Sequence, residues 1–352
     1  VTTPSSEMSF GVSLDKGRLE YAGNSLDTLF AQRANLLSPA FLGMVKDILR
    51  FNRLAKQALE QHSGEGVADN AESLGDMLKR HRFSHAFQHH YLLPMAAAIW
   101  SCPTSTMLRF PFLSFVRFFN NHGLLNLIDR PLWRTVSGGS KSYVDKFIAS
   151  KHFELRLNTP VQRVERTNDG VFINGNTQRF DAVVFACHAD QTLAMLESPD
   201  AEETALLGAF SYQENIAWLH TDAQLMPRLK KVWSSWCYLG CAADDVAQST
   251  ERVAVSYWMN RLQNLPTSTD YFVTLNPPNP PAENKVIGRY VYHHPVFDTA
   301  AMQAQTRIHA LQGHRHSWYC GSYFGYGFHE DALRSAVNVA ALFDIQPPWC
   351  QA

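Results

Sequence analysis

The residues best suited to bind a ligand lie near the carboxyl end of the chain, where glycines stand directly before a predicted helix. Gly321, Gly325 and Gly327 follow a strand that ends in aromatic residues, and apolar residues at helical spacing begin at Ala332. A glycine lets a ligand approach the backbone closely, and a helix start offers unpaired N–H groups at the positive end of its dipole. The segment therefore predicts a cradle for an electron-rich or anionic ligand, although an ordinary strand–loop–helix connection would show the same spacing.

Two histidines and a tyrosine are the candidates for acid–base chemistry. His293 and His294 end a predicted strand just before Pro295, and imidazole titrates near neutral pH. Because adjacent residues of a strand point to opposite faces, at most one of the two enters a site. Tyr257 belongs to another predicted strand and could wall a site, although aromatic residues at such spacing are also typical of a core.

A further group of histidines is spaced for one face of a helix. His81, His85 and His89 are four residues apart, a spacing at which imidazoles can share a metal ion. No carboxylate completes a known metal motif, and Arg80 and Arg82 would repel a cation. We therefore expect a surface histidine stripe and no metal site.

The elements that position these residues follow from hydrophobic spacing. The pattern predicts a hairpin over 7–21 and a helical region over 38–127. The apolar strand 181–186 is of the type that is buried on both faces of a parallel sheet. From 215 to 297 strand follows strand, which predicts a largely antiparallel sheet.

One part of the helical region is unusually rich in phenylalanine, at positions Phe110, Phe112, Phe115, Phe118 and Phe119. These side chains could line a channel for an acyl chain, touch a membrane surface beside Arg109 and Arg117, or form an aromatic core. The residue types alone do not decide between these three interpretations.

Composition narrows the class of protein. The chain has 352 residues, a hydrophobic content of 45%, a net charge of −1 and a pI near 7.0, so no electrostatic feature indicates a nucleic-acid partner. Its apolar runs are too short to span a bilayer. The six cysteines, including Cys237 and Cys241, are scattered, which predicts reduced thiols and a cytoplasmic protein.

Several motifs resemble the flavin amine oxidase and phytoene desaturase superfamily. Gly321-Ser322 and Gly327 to Ala332 resemble its C-terminal flavin-contacting motif, Gly138-Gly139-Ser140 its central glycine pair, and 181–186 its strand beneath the cofactor. Asp331 departs from the motif, because glycine is usual there, and we expect its carboxylate to point away from a flavin ring. The resemblance implies FAD as cofactor, and it implies these cofactor-binding residues: Val161, Gly321, Ser322, Gly327, Phe328, His329, Glu330 and Ala332.

The same resemblance implies a mixed α/β (α+β) fold. It would combine a Rossmann-like FAD/NAD(P)-binding domain with a mixed or antiparallel substrate sheet and a helical cap. We expect 1–37 and 212–297 to form the sheet, 38–130 the cap, and 131–211 with 298–352 the FAD-binding domain. None of the 19 glycines forms the G-x-G-x-x-G fingerprint that opens such proteins, so we expect a fragment that lacks its first βαβ unit.

Taken together, the motifs resemble a narrower family of bacterial amine-oxidase-like flavoproteins, related to the flavin domain of plant cyclopropane fatty acid synthases. That resemblance implies an FAD-dependent oxidoreductase that oxidises a lipid-like, unsaturated fatty-acyl substrate by hydride transfer to flavin. A true amine oxidase is one alternative, and a non-catalytic, truncated binding partner of a lipid methyltransferase is another. The resemblance implies a small-molecule or lipid substrate and a lipid-modifying methyltransferase as partners, and the phenylalanine-rich stretch leaves a peripheral membrane contact open.

Overall fold

The computed structural model describes residues 2–62, 72–126, 131–240 and 253–350. Cys241 and parts of the predicted helical region, at 63–71 and 127, lie outside these ranges. The described chain clusters into two units. The first lies within Val1–Glu65, Asn70–Leu155 and Glu214–His293, and the second within Arg156–Gln213 and His294–Ala352. The three-domain division expected from sequence stays a prediction.

The largest sheet is built mainly from antiparallel strands. Its strands are β1 (Phe10–Leu14), β2 (Leu19–Ala22), β7 (Ser211–His220), β8 (Trp236–Gly240), β9 (Ala254–Trp258), β10 (Phe272–Leu275) and β11 (Val286–Val296). Their order in space is β11-β7-β10-β9-β8-β1-β2. The β1–β2, β8–β9, β9–β10 and β10–β7 pairs are antiparallel, and β1–β8 is parallel. The predicted hairpin and the largely antiparallel sheet are confirmed.

The helices described in the first unit pack mainly on one another and on this sheet. They are α1 (Leu26–Leu29), α2 (Pro39–Gln61), α3 (Leu74–Arg80), α4 (His85–Phe87), a π-helix (Gln88–Leu92), α5 (Leu93–Trp100), α6 (Thr104–Leu108), α7 (Phe112–Asn121), α8 (Lys141–Ser150) and α11 (Met259–Gln263). Side chains cap several of them; for example, Ser73 accepts the Asp76 N–H at the start of α3. In the described ranges, every helix is too short or too polar to pass through a membrane.

The phenylalanine-rich stretch forms part of an aromatic core. All five phenylalanines are buried, and Trp100 packs against Phe110, Phe115 and Phe118 with ring centroids 4.6–5.9 Å apart. Of the three interpretations of this stretch, the structure supports the aromatic core. Burial of such rings contributes a large share of the apolar stabilisation of the unit.

The described residues of the second unit form two small sheets and four α-helices. Strands β3 (Val164–Thr167), β4 (Gly170–Ile173) and β5 (Arg179–Phe180) form an antiparallel meander, and β6 (Val183–Phe185) pairs in parallel with β12 (Ser317–Tyr319). The helices in its described residues are α9 (Ala189–Met195), α10 (Ala201–Leu207), α12 (Thr299–Arg307) and α13 (His329–Ala341). Val184 of β6 is 46% exposed, so the expectation that this strand is buried on both faces is wrong. The two-stranded parallel sheet leaves one face of β6 uncovered.

Candidate functional site

A short, tightly held loop joins β12 to α13. The Cys320 N–H donates to Phe185 O at 2.9 Å, which continues the β6–β12 pairing to the start of the loop. The Gly321 N–H then donates to Ser335 Oγ at 2.9 Å, and this buried hydroxyl donates to Ala332 O at 2.7 Å. Ser335 therefore fastens the glycine end of the loop to the first turns of the helix.

The same loop is held from its other side by Gln305 of α12. Its Nε2 donates to Tyr323 O at 2.8 Å and to Gly325 O at 2.6 Å. Gln305 lies far from the loop in sequence and carries no motif, so the sequence gives no signal for this role. Ser335 lies in the motif, but its hydrogen bonds could not be read from the spacing.

Asp331 engages the loop that precedes its own helix. Its Oδ2 accepts the N–H of Tyr326 at 3.0 Å and of Phe328 at 3.1 Å. A Cβ at Gly325 would lie 2.3 Å from Asp331 Oδ1, so a side chain at 325 would displace the carboxylate. The carboxylate that departs from the family motif thus stabilises the turn into α13.

The start of α13 offers backbone donors to a ligand. Gly327 has a φ of +93°, a left-handed conformation that favours glycine, and it turns the chain into the helix. The first N–H groups of a helix have no intrahelical acceptor, and here they belong to the exposed His329 and Glu330 and to Asp331. Because hydrogen bonds with Ser335, Gln305 and Asp331 hold the loop, these donors are positioned in advance, and the predicted residues fit the electron-rich edge of a flavin ring.

The structure places the predicted cofactor residues in two segments of the second unit. Gly321, Ser322, Gly327, Phe328, His329, Glu330 and Ala332 form the continuous loop and helix start described above. Val161 lies in the segment before β3 and is 40% exposed, and the N–H of the next residue, Gln162, donates to Asn174 Oδ1 at 2.8 Å. The assignment of these residues to cofactor binding stays a prediction.

The predicted catalytic residues lie on two strands of the large sheet. His293 is exposed and His294 half-buried, and both belong to β11, where alternation turns them to opposite faces. Tyr257 of β9 is hydrogen-bonded to Ser101, and burial raises the pKa of its hydroxyl above the ordinary value. A buried, protonated phenol cannot serve as a base near neutral pH, which favours a histidine for that role.

The histidine stripe expected on one helix face is wrong. Helix α3 ends at Arg80, and Arg82 has a φ of +51°, so His81 does not share a helix with His85 and His89. The rings of His85 and His89 stack with centroids 4.3 Å apart, and burial lowers the pKa of His89. Among the described residues, no group of three or more His, Cys, Asp or Glu side chains is arranged to hold a metal ion.

A pocket that sequence reasoning missed lies on the large sheet. It has a volume of about 450 Å³ and is lined by Ala217, Leu219, Met259, Gln263, Leu265, Tyr271, Val273, Tyr290 and Tyr292. Strands β7, β10 and β11 and helix α11 contribute these side chains except Leu265 and Tyr271, which lie between α11 and β10. Pairing of Leu275 with Ala217 and of Val273 with Leu219 puts four strand residues on one face. No lining residue is charged.

Gly288 makes room for one wall of this pocket. The rings of Tyr290 and Tyr292 stack with centroids 6.4 Å apart along β11. A Cβ at Gly288 would lie 2.6 Å from the Tyr290 hydroxyl oxygen, so only glycine allows this ring to lie back along the strand. The pocket wall therefore depends on a residue that has no side chain.

Solved structures with the same fold are enzymes by name. The chain is similar to the fatty acid isomerase from P. acnes (TM-score 0.58, 13% identity, 97% of this chain and 81% of that chain). It is similar to putrescine oxidase (0.62, 13%, 98% and 83%) and to cyclohexylamine oxidase from Brevibacterium oxydans (0.60, 12%, 98% and 83%). At these identities the likeness shows the fold alone. No curated protein matches the chain in sequence.

A family model described as flavin containing amine oxidoreductase matches residues 1–342. The match covers nearly the whole chain, and it confirms the predicted superfamily, the mixed α/β fold and FAD as the cofactor. The chain therefore belongs to the flavin-containing amine oxidoreductase family.

Proposed function

We propose that this protein is an FAD-dependent oxidoreductase that acts on a lipid-like substrate, an unsaturated fatty-acyl chain. The bound flavin would supply the oxidation by accepting a hydride, which carries the two electrons of a substrate C–H bond. The observation that carries the proposal is the uncharged pocket on the large sheet, which is lined by aliphatic, methionine and tyrosine side chains and one glutamine. An acyl chain can bury its methylene groups there, and each buried methylene contributes about 0.8 kcal/mol.

The chain's own residues would hold the reactants in place. The loop from Gly321 to Phe328 is fixed by Ser335, Gln305 and Asp331, so the donors at the start of α13 need no reorganisation when charge develops on a ligand beside them. His294 shares its face of β11 with Tyr290 and Tyr292 by strand alternation. We therefore assign His294, rather than His293, as the candidate base.

Amine oxidation is the second candidate function. It is favoured by the likeness to putrescine oxidase and cyclohexylamine oxidase, whose names give amines as substrates. An ammonium group in an apolar pocket needs a carboxylate partner, because an unpaired buried charge is very costly. The pocket on the sheet presents no carboxylate among its lining residues, and this favours the acyl chain.

The experiment that tests the proposal is anaerobic reduction of the holoenzyme. We expect unsaturated fatty acids or phospholipids to bleach the visible flavin absorbance, and putrescine and cyclohexylamine to leave it unchanged. Bleaching by the amines alone would overturn the lipid proposal in favour of amine oxidation. A flavin-loaded protein that neither class of compound reduces would overturn both.

Two neighbouring residues of β11 provide a matched pair of variants. Tyr292 lines the pocket, whereas Val291 points to the opposite face of the strand. We expect Tyr292→Ala to raise KM for the acyl substrate about tenfold, since a large apolar contact is lost. Val291→Ala should leave KM within about twofold of the parent value. Equal effects of the two substitutions would argue against binding in this pocket.

We also propose a cellular compartment and a partner for the protein. The free cysteines Cys102, Cys187, Cys237 and Cys320 support a reducing, cytoplasmic compartment. The resemblance to the flavin domain of cyclopropane fatty acid synthases supports a functional association with a lipid-modifying methyltransferase. Co-purification of the two activities, or its absence, tests the association.

A further inference from the structure

Helix α2 has one buried apolar face and one exposed face that mixes leucines with basic residues. Its inner face buries Phe41, Met44, Ile48, Phe51 and Ala55. The opposite face carries a row of side chains at positions i, i+4, i+7, i+11 and i+14, which lie on one side of a helix. We name this row the α2 stripe; it consists of Leu42, Lys46, Leu49, Arg53 and Lys56.

The α2 stripe exposes leucine beside basic residues. Leu42 and Leu49 are 45% and 47% exposed, and Lys46, Arg53 and Lys56 are exposed between and beyond them. The preceding 3-10 turn (Arg33–Leu37) adds Leu37, which is 86% exposed. Single exposed leucines are ordinary, but leucines repeated at helical spacing and alternating with cations form a surface suited to an interface.

The charge of this region differs from that of the whole chain. Helix α2 contains four basic residues and two acidic residues, Asp47 and Glu60, whereas the chain as a whole has a net charge of −1. Asp47 is buried, where it accepts the Ser84 N–H at 2.9 Å and lies 3.4 Å from Arg50 Nη1. Glu60 is exposed one turn after Lys56 on the same face, so the three cations of the stripe exceed its single carboxylate by two charges.

The basic residues of the stripe are available for a ligand. Within the described ranges, neither Lys46 nor Arg53 makes an ion pair, and Lys56 bonds only a neutral group, Asn126 Oδ1, at 2.8 Å. The long stems of such side chains can lie along apolar surface while their heads meet phosphate. The exposed leucines beside them could then insert among lipid headgroups and upper acyl chains.

We propose that the α2 stripe, together with Leu37, is a docking surface for a membrane that contains anionic phospholipid. Leucines alone would not discriminate between lipids, and a few basic residues alone bind weakly. Apolar insertion combined with attraction to anionic headgroups gives stable but reversible attachment. The contact would be peripheral. It stands on the exposed face of α2 and is independent of the substrate and of flavin chemistry.

Vesicle flotation of the flavin-loaded protein tests the proposal. We expect the protein to float with phosphatidylcholine vesicles that contain about one third phosphatidylglycerol, and to stay behind with phosphatidylcholine alone. Raising the salt concentration should weaken the binding, because screening reduces attraction between exposed charges. Equal binding to both vesicle types, or none to the anionic vesicles, would overturn the proposal.

Two double variants separate the contributions of charge and apolar surface. Lys46→Glu with Arg53→Glu should weaken binding to anionic vesicles at least tenfold, and Leu37→Ser with Leu49→Ser should do the same at unchanged net charge. Arg179→Glu with Arg307→Glu makes the same change in net charge at exposed positions of the second unit and should leave vesicle binding unaltered. Circular dichroism of each variant establishes that it is folded.

The serine variant, Leu37→Ser with Leu49→Ser, decides between a membrane surface and a purely electrostatic patch. If charge reversal abolishes vesicle binding but the serine variant binds normally, the surface is only an electrostatic patch and the membrane proposal fails. If wild-type protein ignores vesicles but self-associates through the stripe, as shown by loss of association in the charge-reversed variant, the partner is a protein and the proposal is equally overturned. Activity is not needed for any of these measurements.

Discussion

At the scale of single residues, the most informative buried group outside the candidate site is His220. Its Nδ1 accepts the Asp222 N–H at 3.0 Å, so the neutral ring carries its proton on Nε2, which lies 2.8 Å from Thr274 Oγ1. Thr274 Oγ1 in turn lies 2.7 Å from Ser256 Oγ, which donates to Leu225 O. Every polar atom of this chain of contacts has a partner only while the imidazole is neutral.

Burial lowers the pKa of His220 from 6.5 to about 4, and the Asp222 carboxylate offsets only part of that effect. Since the unfolded chain binds the proton more readily, stability should be full above pH 6.5 and fall as the pH drops towards 4. The full loss is on the order of 3 kcal/mol. Urea unfolding at several pH values measures it.

The control for this prediction is an exposed histidine. His220→Gln should flatten the pH dependence of stability in that window, whereas His152→Gln, at an exposed position, should retain it. An unfolding free energy that changes with pH equally in His220→Gln and in the parent protein would contradict the assignment.

At the scale of elements, a buried ion pair joins three parts of the second unit. Arg166 of β3 and Glu203 of α10 are in direct contact, and the Tyr319 hydroxyl of β12 donates to Glu203 Oε1 at 2.8 Å. Both charged side chains are almost completely buried. Burial alone would raise the pKa of Glu203, but hydrogen bonds from Arg166, the Asp200 N–H and Tyr319 outweigh it and lower the pKa to about 2.

Removing one charge of this pair should destabilise the protein strongly. We expect Glu203→Gln to cost roughly 3–5 kcal/mol, because the Arg166 guanidinium would be left buried without its counter-ion. Glu202→Gln, at the exposed neighbouring position, should change stability by no more than about 0.5 kcal/mol. Chemical denaturation of both variants makes the comparison; similar midpoints would show that the pair contributes little.

Sequence patterns captured the elements that depend on local chemistry. The hairpin of β1 and β2 follows from alternation between neighbouring residues and a turn within a few residues. The histidine stripe failed because the left-handed Arg82 and the π-helix interrupt the regular spacing. In that π-helix, His90 O accepts a hydrogen bond from Tyr21, a partner far away in sequence that no local pattern reveals.

In the candidate site, too, local features could be predicted from the sequence and long-range contacts could not. Glycines and a helix start located the loop before α13, since both are local signals. The pocket on the sheet was missed because its lining residues come from strands separated by dozens of residues and meet only through strand register. The contact of Asp331 with the loop was likewise invisible, because the spacing could not tell in which direction the carboxylate points.

At the scale of the whole molecule, the family assignment predicts that folding and cofactor binding are linked. A ligand that binds only the folded state stabilises it by mass action, by about 3 kcal/mol at a hundredfold excess over Kd. We therefore expect added FAD to raise the melting temperature of flavin-depleted protein, and AMP to raise it less. Thermal unfolding followed by fluorescence measures both. An unchanged melting temperature at saturating FAD would contradict cofactor binding by this chain.

The edge strand β11 of the large sheet should promote self-association of the protein. Strand β11 is eleven residues long and forms the outer edge of the described sheet, with Tyr290, Val291 and Tyr292 exposed along it. The outward amide and carbonyl groups of such an edge can pair with a second molecule, and aromatic side chains reinforce the pairing. Pro295 and Arg289 oppose pairing with a second molecule only at their own positions in the strand. We therefore expect self-association that grows with protein concentration and begins along this strand.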